Sequence, residues 1–229
     1  MSQRREFSQA EACIDWLLEH IGTRLVVGTP LGLGKPNHLL NALYLRAKND
    51  PAIDLTIMTA LSLQTPQAKS EIERRLVEPL RERIFGDYPD LEYVADMQAD
   101  RIPANITISE FFFQPGAMLG RGHAQRHYRN TNYTHVARDL FGAGVNVLMQ
   151  MVAPHPDGAH YSLSSNPDVS LEMLPEIQAR RERGEKIAYV GQANTQMPYM
   201  TRDAEVHADV FDAVLNLDFR PFGAPAMAI

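Results

Sequence analysis

Glycines set between a strand-like run and a helix-like run let backbone amides come close to an anionic or bulky ligand, and residues 28–36 (GTPLGLGKP) have that composition. The loop fits neither common nucleotide signature. A P-loop needs four residues between its first glycine and the Gly-Lys pair, whereas Gly28 and Gly34 enclose five, and Pro36 stands where the magnesium-binding Ser or Thr belongs. The dinucleotide fingerprint fails because Asn37 occupies its third glycine position. On local grounds the segment reads either as a ligand-contacting loop or as a tight turn between strand and helix.

His123, His127 and His135 raise a metal hypothesis, since a His-x-x-x-His spacing on a helix sets two imidazoles on one face. Gly120 and Gly122 interrupt the helical pattern, Arg121, Arg126 and Arg129 repel a cation, and no spaced carboxylate or cysteine completes the set. No metal site is expected. The same Arg/His cluster suits either a phosphate group, such as those of coenzyme A, or a solvated loop. A serine nucleophile has little support, because no GxSxG is present and Ser164-Ser165 lacks local base and acid partners. Glu110, Glu176 and Glu205 are carboxylates suited to covalent chemistry, but surface or capping roles are the expectation for each. Pro156-Asp157-Gly158 reads as a turn leading into a short hairpin-like excursion, at a strand end where open α/β sheets tend to bind ligands.

The elements that must position these residues alternate along the chain. Ser8 and Glu11 read as a capping box for a helix whose Ala10, Cys13, Ile14, Leu17 and Ile21 share a face until Gly22. Strand-like runs are read at residues 24–28, 53–58, 91–94, 105–108, 145–152, 186–190 and 211–215. Helices are read at 36–48, at 134–141, at 170–183 despite Pro175, and in a long segment capped by Thr65-Pro66 with Ile72, Leu76, Leu80 and Ile84 on one face. Strands separated by helices need crossover connections, which predicts an α/β fold with an open, mainly parallel sheet and helices on both faces.

The chain has 229 residues, is 45% hydrophobic and carries a formal net charge of −6, so it can bury a large core and has no general attraction for nucleic acid or an anionic membrane. Its single cysteine makes no internal disulfide, and neither a signal peptide nor a membrane-length apolar run is found, which together predict a cytoplasmic protein.

Residues 32–43 (GLGKPNHLLNAL) resemble the amino-terminal glycine/proline loop and following helix of the acetyl-CoA hydrolase/transferase family, which includes succinate and 4-hydroxybutyrate CoA-transferases. Residues 132–139, 145–152, Pro156-Asp157-Gly158 and Tyr161-Ser162-Leu163 resemble the family's strand, aspartate-glycine turn and serine-containing strand. Gly191-Gln192-Ala193-Asn194 with Met197-Pro198 is similar to a later segment, although Gly191-Gln192-Ala193 replaces the usual acidic-valine sequence, and residues 204–207 and 211–214 continue the likeness. It runs from about Arg24 to Leu217.

The resemblance implies a CoA-transferase-like fold, with residues 1–217 as the amino-terminal domain and 218–229 as a proline-rich exit toward a carboxy-terminal domain. It also implies transfer of CoA between an acyl-CoA thioester and a small carboxylate or water, through a nucleophilic glutamate on that second domain. No counterpart of this glutamate occurs before Ile229, so no catalytic nucleophile is assigned to the chain, which is expected to be inactive alone. Gly32, Gly34, Pro36, Gln150, Asn194 and Pro198 are the candidates for lining the acyl or CoA side of the cleft, with a turn, a strand amide and a helix cap as their plain alternatives. Coenzyme A enters as substrate, and no covalently held cofactor is expected. The alternatives are a standalone CoA- or anion-binding module of the same fold and an oligomerisation partner. A face left uncovered by the second domain predicts self-association, as a homodimer or larger assembly.

Overall fold

The computed structural model describes residues 4–221. Seven parallel strands form the main sheet in the order β1-β9-β7-β5-β2-β3-β4, and β6 and β8 extend it by antiparallel pairing from the end of β5. The strands are β1 (Arg5–Phe7), β2 (Arg24–Gly28), β3 (Asp54–Thr59), β4 (Ile106–Glu110), β5 (Val147–Pro154), β6 (His160–Ser162), β7 (Ala188–Ala193), β8 (Glu205–His207) and β9 (Ala213–Asn216). The helices are α1 (Ala10–Ile21), α2 (Asn37–Asn49), α3 (Glu71–Ile84), α4 (Glu92–Gln98), α5 (Gly122–His127), α6 (Val136–Gly142) and α7 (Ser170–Glu182). This is the α/β fold with an open, mainly parallel sheet that the alternating pattern predicts.

Burial on both faces explains the near-continuous apolar strands. On one face Leu25, Val27, Leu55, Ile57, Ile108, Val147 and Val190 pack against Cys13, Leu17, Leu39, Leu43 and Tyr93 from α1, α2 and α4. On the other, Leu148, Val152, Tyr189 and Val214 meet Val136 and Leu140 of α6 and Met173 and Ile177 of α7. Among the described residues no helix is long and apolar enough to cross a membrane.

The order of strands sets the position of the site. From β2 the chain adds β3 and β4 on one side, then returns to place β5 and β7 on the other side. Connections leaving the carboxyl ends of β2 and β5 therefore diverge, and an open sheet has its crevice at such a switch point.

Three local readings are corrected. Residues 91–94 do not form a strand: Leu91 is the N-cap of α4 and residues 92–94 open it, with Leu91, Val94 and Met97 buried at a spacing of three on the side where α4 packs against α2. Ser8 does not cap α1, which starts after Gln9 without a side-chain cap. A side-chain cap is found on α3, where Ser70 Oγ accepts from Glu73 N at 3.2 Å and Glu73 Oε2 reaches past the cap to accept from Lys69 N at 2.7 Å, while Thr65 bonds Asp90 instead. The polar amino-terminal stretch supplies β1, an edge strand pairing with β9. Pro175 lies within α7, which continues through it. The proline-rich exit read at 218–229 lies outside the described residues from 222 onward; Phe219 and Arg220 are folded back against the domain.

Leu43 of α2 is fully buried in the layer that packs α1, α2 and α4 on the sheet, so Leu43→Ala should lower the unfolding free energy by about 2–5 kcal/mol, measured by urea denaturation.

Candidate functional site

The loop after β2 is held by the segment between β6 and α7. Leu31 N donates to Asp168 Oδ2 at 2.9 Å, and Asn166 Nδ2 donates to Leu31 O. Gly34 passes so close to Asn166 that a Cβ there would stand 2.5 Å from the Asn166 carbonyl oxygen and 2.9 Å from Pro30 Cβ, so only glycine fits. Gly32 has φ +55 and opens a single 3-10 turn, after which Pro36 precedes α2.

This turn sends Lys35 inward, where it is 3% exposed. Its Nζ donates to Thr59 Oγ1 at 2.7 Å, Ala60 O at 2.9 Å and Ser62 Oγ at 3.3 Å, all at the carboxyl end of β3 or just beyond it. Ser62 Oγ donates to Glu110 Oε1 at 2.7 Å and contacts Tyr93 OH at 2.7 Å. The hydrogens are consistent: Ser62 accepts from Lys35 and Tyr93 and gives its own proton to Glu110. Burial pushes the Lys35 ammonium down to about 8, against the opposing pull of Glu110 and Asp168. Burial likewise raises Glu110, opposed chiefly by Lys35 and by the bond from Ser62. Glu110 is 1% exposed, so its expected surface or capping role is corrected to a buried ionic one.

Beside this network lies a largely apolar cleft of about 250 Å³, lined by Leu33 and Lys35 of the loop, Met151 of β5, Met197 and Pro198 beyond β7, and Phe219. Of the six sequence candidates, Pro198 lines the cleft directly, while Gly32, Gly34 and Pro36 shape the loop that supplies Leu33 and Lys35. Asn194 is fully buried beside it: its Nδ2 donates to Phe219 O at 2.8 Å and its Oδ1 accepts from Gln196 N at 3.0 Å, fixing the wall formed by Phe219. Gln150 faces the other side of β5. Its Oε1 accepts from Ser170 Oγ and from Tyr189 OH at 2.9 Å, inside the layer of α7, so its amide bonds protein rather than facing the cleft.

His123 and His127 stay together on α5, whereas His135 lies in the 3-10 turn before α6. His123 Nε2 accepts from Ile108 N at 3.1 Å and so fastens α5 to β4, and its ring lies 4.5 Å from that of His127. Arg126, His127 and Arg129 instead border a separate polar groove along β2, β3 and β4, with Arg24, Thr56 and Thr107.

Comparison with known proteins fits this architecture. RipA from Yersinia pestis has TM-score 0.62 and 17% identity, covering 97% of this chain and 44% of its own. A single-residue variant of RipA gives TM-score 0.63. 4-Hydroxybutyrate CoA-transferase from Porphyromonas gingivalis has TM-score 0.51 and 16% identity, covering 96% of this chain and 40% of its own. No family model and no curated sequence matches. The chain has a CoA-transferase-like α/β fold and spans less than half the length of these neighbours.

Lys35→Met leaves Thr59 Oγ1, Ala60 O and Ser62 Oγ without their buried donor and removes the cation that faces Glu110 across Ser62, which should cost about 3 kcal/mol of unfolding free energy. The unfolded chain keeps the lysine proton to about pH 10.5 and the folded chain only to about pH 8, so in that window the unfolded state binds more protons and this group's contribution to stability rises with pH. Urea titrations across the window should therefore show wild type gaining stability relative to Lys35→Met as pH increases.

Proposed function

We propose that this chain is the cleft-forming amino-terminal half of an acyl-CoA hydrolase or acetate-type CoA-transferase. The observation that carries the reading is the position of the cleft. It lies where β2 and β5 diverge, its walls come from the glycine/proline loop and the Met197-Pro198 segment, and these are the stretches of the family resemblance. The acyl chain of a thioester would lie against Leu33, Met151 and Met197, with Lys35 and its oxygen partners holding the loop. The nucleophilic carboxylate belongs, in this reading, to a second half. It attacks the thioester carbonyl and expels CoA as thiolate, the thiolate returns to the resulting anhydride to give a glutamyl-CoA thioester and release the carboxylate product, and a second carboxylate or water resolves that thioester. Glu110 is bonded to Ser62 behind the loop and serves as a positioning residue.

Thiol release from acetyl-CoA, with and without acetate or succinate, tests this directly. The only cysteine, Cys13, is buried and its thiol is pushed up to about 12, so it adds little background. Turnover is expected from a gene-length protein and not from these 229 residues. Turnover by the short chain would place the nucleophile within it, and saturable CoA binding without turnover by either protein would favour a binding module.

The same reading includes self-association. No residue of α3 is buried, and Ile72, Leu76 and Leu80 are 84%, 77% and 49% exposed along one stripe. The helix begins with Glu71 and Glu73 and ends with Arg81 and Arg83, so an antiparallel pair of α3 helices sets opposite charges side by side. Light scattering should give a dimer mass for the chain and a monomer mass for Leu76→Glu, with unchanged circular dichroism.

A further inference from the structure

Outside the cleft, two imidazoles and a carboxylate converge at the tip of the β5–β6 hairpin. His155 follows β5, Asp157 enters the turn completed by Gly158 at φ +68, and His160 opens β6. His155 N donates to His160 O at 3.1 Å, which closes the turn and brings both rings to the same carboxylate. His155 Nδ1 lies 3.0 Å from Asp157 Oδ1, and His160 Nδ1 lies 2.7 Å from Asp157 Oδ2. One ligand atom from each residue falls within 4.8 Å of the others, and the three side chains are 38–40% exposed.

The hydrogen bonding leaves a place for a cation. Asp157 N donates to His155 Nδ1 at 3.3 Å, while His160 Nδ1 hydrogen-bonds Asp157 Oδ2 at 2.7 Å, so a bound cation takes the place of the proton between that imidazole and the carboxylate. A lone pair and a carboxylate oxygen at contact distance are stabilised by a positive charge between them. Asp157 Oδ1 is also held by Ala159 N at 2.8 Å and His160 N at 3.1 Å, so the carboxylate is oriented before any ion arrives. Among the described residues, the ionic contacts of Asp157 are with these two imidazoles, which carry charge only when protonated, and with no lysine or arginine. On the neighbouring strand, the His207 ring stands 5.4 Å from that of His160, and Glu205 accepts from Tyr199 OH at 2.6 Å, adding negative charge nearby.

We propose that His155, Asp157 and His160 bind a divalent transition ion of borderline softness, of which Zn²⁺ is the reference case, with its remaining positions open to water. Two nitrogens and one oxygen select this class over Mg²⁺ or Ca²⁺, which take oxygen ligands. The ion acts as a clamp on the cleft wall. Ser162 Oγ of β6 donates to Met200 O at 2.7 Å and accepts from Met200 N at 2.9 Å, and Ser164 Oγ donates to Pro198 O at 2.9 Å. Fixing the hairpin tip therefore stiffens the strand that carries the Met197-Pro198 segment.

The test uses tag-free, chelator-stripped protein titrated with Zn²⁺ in competition with a chromophoric chelator. One saturable site per chain is expected, with a rise in Tm on Zn²⁺ addition. His160→Ala and Asp157→Asn should each weaken binding at least tenfold, while His127→Ala leaves it unchanged; circular dichroism confirms that each variant is folded. The proposal is overturned if Zn²⁺ is not taken up saturably, if uptake survives the combined His155→Ala and His160→Ala substitutions, or if His127→Ala removes it.

Discussion

An ammonium group buried among apolar side chains needs oxygens for its hydrogens, and at Lys35 that requirement organises the carboxyl end of the sheet. Thr59, Ala60 and Ser62 supply the oxygens, so the chain leaving β3 must stay beside the loop leaving β2. Ser62 passes the interaction to Glu110 at the end of β4, and Tyr93 of α4 adds a further bond. One side chain thus ties three adjacent strand ends and a helix behind the loop, while the front of that loop, at Leu33, faces the cleft. A buried ionic network of this kind is weak evidence for added stability and better evidence for a fixed arrangement.

The other wall is fixed by neutral contacts. Asn194 spans the end of β7 and the returning chain at Phe219, Gln192 receives the amide of Leu39 at the start of α2, and Ser162 and Ser164 hold the segment between Pro198 and Met200. The cleft is therefore bounded by segments that share almost no sequence neighbourhood, each anchored to a strand end. That construction explains how a largely apolar opening persists at the switch point without a helix filling it.

Much of this was legible in the sequence wherever the signal was local. The spacing of Cys13, Ile14 and Leu17, the run at residues 24–28 and the Pro156-Asp157-Gly158 turn each report their own element, and the glycine/proline loop declared its strand-to-helix position. Residues 91–94 were ambiguous because a four-residue apolar window cannot separate a short helix from a strand. β1 carries two charges in three residues and is recognisable only through its partner β9. Lys35 and Ser62 come from two different connections and Glu110 from the end of β4, so no spacing rule joins them, and Glu110 has the same local appearance as a surface carboxylate. Gln150 was correctly placed on a strand, but which face it occupied depended on register that the sequence does not state. Locally the Asp157-Gly158 turn signal accounts for the stretch from His155 to His160, and only the pairing of β5 with β6 brings the two rings to one carboxylate.

The central claim is that the cleft between the β2 loop and the Met197-Pro198 wall receives the acyl end of a CoA thioester. Photo-crosslinking with a short-chain acyl-CoA that carries a diazirine on the acyl group, followed by peptide mapping, tests it most directly. Labels should fall on Leu33, Met151 or Met197 and be competed by unmodified acyl-CoA. Competable labelling confined to the polar groove around Arg126 and Arg129, with the cleft unmarked, would contradict the assignment.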